Sequence, residues 1–170
     1  GLGDVYKRQI DYNGSKIKIS NLSLAQIQKI DVKNIFSHLP FQKIPELSDV
    51  LDILPAHMIL NIEIKSYESK FFSNGVEDEL LKIIKGKIDS QQLIISSFNP
   101  LIIKRIKQKN SNLSTALIWS SKSYWWFSVG SLPNCTVLSA YCKPDVFHVK
   151  IDDVNKKMVS WFQKRHIPLY

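Results

Sequence analysis

The sequence predicts an α/β fold in which strands alternate with helices around a parallel sheet. Candidate strands at residues 58–65, 93–98, 115–119 and 146–149, with the first residues of another at 167–170, recur at spacings of roughly 20–35 residues. Segments of helical apolar periodicity lie between them, as expected for parallel strands joined by crossover helices. No glycine-rich phosphate loop follows any strand, which weakens a dinucleotide-binding reading. The alternation admits an open doubly wound sheet or a (β/α)8 barrel. A complete barrel takes about 250 residues, and this chain has 170.

The elements follow in chain order. Residues 11–20 are polar, with a turn signal at Asn13-Gly14. Ser23 and Gln26 have capping-box spacing, which predicts a short helix over 24–30. Ile44-Pro45 breaks the chain before a helix over 46–54, with Leu47, Val50, Leu51 and Leu54 on one face. After the 58–65 strand, Asn74-Gly75 opens a helix with Val76, Leu80, Leu81 and Ile84 as its apolar stripe, and Gly86 is a plausible stop. Asn99 caps the helix that follows the second strand. Pro100 sits in its first turn, where the missing N–H costs nothing, and the helix should stop near Asn110. Tyr124-Trp125-Trp126-Phe127 reads as a helix packed under a long connection. Asp152 or Asp153 should cap a last helix over 154–165, burying Val154, Met158, Trp161 and Phe162.

Composition bounds the function classes. The chain is 44% hydrophobic and 22% charged, with a mean hydropathy of -0.11, so it is globular rather than disordered or fibrous. No apolar run is long enough to span a membrane. Lys plus Arg is 23 against 15 for Asp plus Glu, a net charge of +8. The basic residues are dispersed, as a chain rich in Lys, Ile and Asn would have them. Their densest group, Lys104, Arg105, Lys107 and Lys109, reads as the outer face of a helix. Without interleaved aromatics this is a solvated surface rather than a nucleic-acid site. Nothing calls for an obligate protein partner. Cys135 and Cys142 fit no disulfide scaffold, zinc pattern or reactive setting. His38 and His57 have no ligand partners at useful spacing, and His166 reads as a helix-end cation.

One strand carries polar groups. Side chains alternate along a strand, so Asn61, Glu63 and Lys65 share one face while Ile62 and Ile64 share the other. The isoleucines suit a helix-packed face. The polar trio would then point into a barrel, with Glu63 and Lys65 near its carboxyl end, where active sites of that fold lie. A structural ion pair or an exposed edge strand is the bland alternative.

Four segments, in order, resemble the glycerophosphodiester phosphodiesterase family. Asn13-Gly14 with Ile19-Ser20-Asn21-Leu22-Ser23 resembles the family's segment after its second strand. Ile44-Pro45-Glu46-Leu47-Ser48-Asp49-Val50-Leu51 is similar to its IPTLEEVL segment. Leu60-Asn61-Ile62-Glu63-Ile64-Lys65 is similar to its LNIEIK strand, and Ile94-Ile95-Ser96-Ser97-Phe98-Asn99-Pro100 to its IISSF strand and helix cap. The resemblance implies a partial (β/α)8 barrel, roughly strands three to seven. It also implies hydrolysis of glycerophosphodiesters to glycerol 3-phosphate and an alcohol with a divalent metal, Mg2+ or Ca2+. It makes Glu63 a metal ligand and Lys65 the group that neutralises phosphate charge. Ser97 and Phe98 would line the pocket, Trp119 would wall it, and His148, ending the sixth strand, would join them in binding substrate, with a merely packed histidine as the alternative.

The family's His-Arg-Gly, its Glu-x-Asp metal pair and its following His-Asp have no counterpart here, and by the resemblance would lie before residue 10. Its seventh-strand Trp motif would begin just past Tyr170. Asp4 to Gln9 reads DVYKRQ, which looks like translated sequencing-adaptor, so residues 1–9 are expected to be foreign to the fold and 10–170 to be an incomplete domain. Such a piece would be inactive alone and, with open strand edges, prone to aggregate. The compartment stays open, with the cytoplasm as the default.

Overall fold

The computed structural model describes residues 9–12, 15–32, 40–65, 75–120 and 135–170, which fall into two compact units, 1–50 and 51–170. The Tyr124-Trp125-Trp126-Phe127 segment, Asn13-Gly14, His38 and Asn74 lie outside the described residues.

In the first unit, β1 (Gln9–Tyr12) and β2 (Ser15–Lys18) form an antiparallel hairpin in which Tyr12 faces Ser15 across the two-residue Asn13-Gly14 connection. That dipeptide is the turn signal of a tight hairpin, and of the polar segment 11–20 residues 11–12 and 15–18 are paired. The capping box closes as expected at α1 (Leu24–Ile27). The Gln26 backbone N–H donates to the Ser23 hydroxyl, and the Ser23 N–H donates to the Gln26 side chain. The helix α2 (Leu47–Asp52) is shorter than predicted, and of its four expected apolar positions only Leu51 is buried.

The second unit holds four parallel strands, β3 (Leu60–Glu63), β4 (Leu93–Ser97), β5 (Ser114–Trp119) and β6 (Val146–Val149), hydrogen-bonded in that order. Between and after them run α3 (Val76–Ile84), α4 (Pro100–Lys109), α5 (Cys135–Cys142) and α6 (Lys156–Gln163). Strands that follow one another in space as in sequence decide between the two architectures. A doubly wound sheet reverses its order at a switch point; this one never does, and it is an arc of a (β/α) barrel. A fifth strand begins as predicted. Leu169 bridges Phe147 in parallel, and the Tyr170 N–H donates to the Phe147 carbonyl.

The helices cover one face. Leu117, Trp119 and Phe147 from the strands pack with Ile103 of α4, Leu138 and Cys142 of α5, and Met158 and Phe162 of α6. Local signals set most helix ends. The Asn99 side chain accepts from the Leu101 N–H, with Pro100 in the first turn, and α4 stops at Asn110. Gly86 takes the left-handed conformation just past α3, where a side chain would be strained.

Three expectations are corrected. The cap of α6 is Asn155, which accepts from the Met158 N–H at 3.0 Å; Asp152 and Asp153 lie in a separate tight turn before it. On α3 the residue turned inward beside Leu80 and Ile84 is Glu77, whereas Val76 is exposed. The basic residues of α4 are not a freely solvated surface. Arg105 pairs with buried Glu77, Lys107 with Asp145 at 2.9 Å and Lys109 with Asp78, while Lys104 sits 4.1 Å from the centre of the Tyr141 ring. These cations stitch α4 to its neighbours.

Candidate active site

Parallel register partners share a face, so the ladder assigns every strand residue to one side. One row runs Glu63, Ser96, Ala116, Val146. Two residues further along, on the same face, stand Lys65 after β3, then Ile118 and its partner His148. This is the inner face, opposite the helices. The other parity, Ile64, Ser97, Leu117 and Phe147, points into the helix layer, and Ile64, Leu117 and Phe147 are buried there.

Glu63 and Lys65 are therefore on the inner face at the carboxyl end of β3. Their charged atoms are 3.9 Å apart, with the side chains 34% and 54% exposed. That separation exceeds a hydrogen bond, and a solvated pair of this kind contributes little. The carboxylate is thus available to another partner. Ile64 extends the ladder beyond Glu63 by donating its N–H to the Ser96 carbonyl at 2.8 Å, which fixes the strand at this point.

The remaining predicted site residues divide. Phe98 follows β4 at the carboxyl end of the sheet and is exposed. His148 is half-buried on the inner face, edge-on to the Tyr170 ring, and its burial lowers the imidazole pKa below the ordinary 6.5. Ser97 and Trp119 are corrections. The Ser97 hydroxyl donates to the Ile64 carbonyl at 2.7 Å and accepts from the Asn99 N–H at 3.1 Å. It is buried and engaged in shaping the strand-to-helix turn, so it does not line the inner face. Trp119 shares parity with Leu117 and is packed in the helix-side core, not against the site.

Reading along the chain passed over Ser96. It is the inner-face neighbour of Glu63, fully buried, and its Oγ has no hydrogen-bond partner. The signal that identifies it is strand parity combined with cross-strand register. His57 is exposed in the turn before β3, and His166 closes α6 in a left-handed conformation; neither joins the site. The Cys142 thiol donates to the Leu138 carbonyl at 3.1 Å, and burial pushes its pKa up to about 12, which makes it inert at neutral pH. The side chain of Cys135 lies outside the described residues.

Glu63 is an oxygen donor of the type hard cations take, and a buried hydroxyl lacking a partner stands beside it. The donor set fits such a cation as far as it goes: among the described residues no three His, Cys, Asp or Glu side chains come together, so Glu63 would be one ligand of several. Among those residues no helix is long and apolar enough to cross a membrane.

A singly wound parallel arc with helices on one face defines the class, a (β/α)8-barrel fold, and it carries a carboxylate and an ammonium on the other face at the carboxyl end of the strands. Residues 4–170 match the profile of the Glycerophosphoryl diester phosphodiesterase family. The chain belongs to that family.

A glycerophosphodiester phosphodiesterase from Caldanaerobacter subterraneus subsp. tengcongensis is 29% identical over 103 residues, which cover 59% of this chain and 42% of that protein. Two crystal structures share the fold. One is of a protein from Galdieria sulphuraria assigned as a glycerophosphodiester phosphodiesterase, with a TM-score of 0.71 at 15% identity over 96% of this chain and 61% of that one. The other is of a protein from Silicibacter pomeroyi assigned as a glycerophosphoryl diester phosphodiesterase, with a TM-score of 0.72 at 14% identity over 95% of this chain and 62% of that one. The chain thus spans less than two thirds of the length of each of these relatives.

Proposed function

We infer that the complete protein hydrolyses glycerophosphodiesters to glycerol 3-phosphate and an alcohol with the help of a divalent cation, Mg2+ or Ca2+, and that this chain supplies the part of the site carried by β3 and its neighbours. The observation that supports this most is the shared inner-face position of Glu63 and Lys65 at the carboxyl end of a barrel strand, in a chain of this family.

Each group has a role that follows from its chemistry. Glu63 contributes one oxygen ligand to the cation. When bound, such a cation polarises the phosphoryl oxygen and offsets the charge that develops there. Lys65 presents an ammonium beside that carboxylate and attracts the phosphodiester anion, a task a compact point charge performs well. Phe98 offers an exposed apolar surface at the same end of the sheet, against which the carbon skeleton of the substrate can rest. His148, whose imidazole burial shifts toward the neutral form, can exchange hydrogen bonds with substrate hydroxyls.

The described residues provide only one carboxylate on this face near Lys65, and no group of three potential metal ligands. The 170-residue chain alone is therefore expected to release no glycerol 3-phosphate from glycerophosphocholine. The complete protein should release it, and a chelator should abolish the release until Mg2+ or Ca2+ is restored. Turnover that persists in chelator would contradict the role given to Glu63. A different released phosphate, in place of glycerol 3-phosphate, would assign the site to another phosphodiesterase chemistry of the same barrel class.

A further inference from the structure

Ser96 poses a problem that the fold alone does not solve. A fully buried hydroxyl without a partner loses its hydration and gains nothing in return. Here the residue is completely buried, and its Oγ has no hydrogen-bond partner. Its neighbour Ser97, equally buried, uses both its donor and its acceptor capacity. The contrast separates a serine that builds the turn from one that awaits a partner.

The surroundings narrow what that partner is. Within its row Ser96 lies between Glu63 and Ala116, and on its own strand the inner-face residue before it is Ile94. Alanine and isoleucine side chains accept no hydrogen bonds. Adjacent strands are about 4.8 Å apart, which brings the cross-strand Glu63 side chain within range of the Ser96 hydroxyl. Glu63 has the length to fold toward Ser96. Its contact with Lys65, at 3.9 Å and solvated, holds it weakly.

We propose that Ser96 is a positioning residue for Glu63: its Oγ–H donates to one carboxylate oxygen, turning the other toward the cation. This rests on the reading of Glu63 as a metal ligand. A hydroxyl in this role orients the ligand and leaves substrate untouched, as outer groups around metal ligands commonly do.

The test uses the complete protein and binding of Mg2+ and of Ca2+ measured by calorimetry, so that it does not depend on turnover. Ser96→Ala should weaken cation binding roughly 10- to 100-fold while leaving the melting temperature of the cation-free protein unchanged or higher, because it removes an unsatisfied buried group. In a Glu63→Gln background the same change should produce no further loss. A lower melting temperature with unchanged cation affinity would make Ser96 merely structural and overturn the proposal. A loss of equal size in the Glu63→Gln background would show that Ser96 acts without Glu63, and would overturn it too. If Glu63→Gln itself binds the cation as tightly as the natural protein, the reading of Glu63 fails and this inference fails with it. Unchanged affinity in Ser96→Ala, where Glu63→Gln does lose binding, refutes the positioning role alone.

Discussion

Two glutamates of this chain each stand beside a cation, and their settings differ in every respect. Glu77, in the first turn of α3, is 2% exposed and 3.3 Å from an Arg105 that is itself mostly covered. Glu63, at the end of β3, is 34% exposed and 3.9 Å from a solvated Lys65. The first pair joins two helices, and a buried acid of that kind is tolerable only because it is bonded. The second joins no separate elements: Lys65 follows β3 two residues after Glu63, which ends it. Burial with bonding marks a charge committed to the fold. Exposure with a loose partner, at the carboxyl end of a barrel strand, leaves the charge free for the ligand role proposed above.

That contrast can be broken by experiment. The largest effect belongs to Glu63→Gln in the complete protein, which should lower glycerol 3-phosphate release by at least about 10²-fold with the melting temperature unchanged; a substantial fall in melting temperature would place Glu63 among the structural acids. Arg105→Met should do the reverse. It leaves Glu77 buried without its arginine and should cost about 3 kcal/mol in a denaturant titration, the lower end for such a pair because Arg105 is partly exposed, while turnover per folded molecule stays the same.

A smaller effect concerns His148. Its folded pKa lies below 6.5, so between that lowered value and 6.5 the unfolded chain binds more protons than the folded one. Stability therefore rises with pH through that window and is reduced below it. Replacing His148 with Asn should flatten this part of the pH profile of the denaturation midpoint, and a slope that survives the replacement must come from another group. The smallest effect is expected at Lys82. Hydrogen bonding and attraction to Glu79 raise its pKa, yet the pair is exposed on α3, and Lys82→Ala should leave the thermal midpoint where it was.

Much of the architecture was legible in the chain because it is set locally. The capping box at Ser23, the Asn99 cap with Pro100 behind it, and Gly86 after α3 each act within a turn of backbone. Strand alternation alone put Glu63 and Lys65 on one face. What was missed depends on contacts distant in sequence. Glu77 looks like a surface acid until α4 brings Arg105 to it. Asn155, Asp152 and Asp153 are all competent caps, and only the path of the chain after β6 selects Asn155. The helix Cys135–Cys142 has no strong amphipathic stripe, so periodicity does not reveal it.

At the site the same division holds. Resemblance pointed to Ser97 and Trp119, but parity assigns both to the helix side, and it is the register of β4 against β3 that brings Ser96 beside Glu63. Register is a property of two strands together and cannot be read from either one.

Asp145 sits just before β6, at the end of the sheet away from Glu63. One of its oxygens accepts from the Thr115 N–H at 2.7 Å and the Thr115 hydroxyl at 2.9 Å; the other takes Lys107, whose ammonium also donates to the carbonyls of Ser111 and Leu113. This clasp fastens the base of two strands and a helix on the rim opposite Glu63 and Lys65. Losing it would leave those two strands and that helix without their shared anchor at the amino end of the sheet.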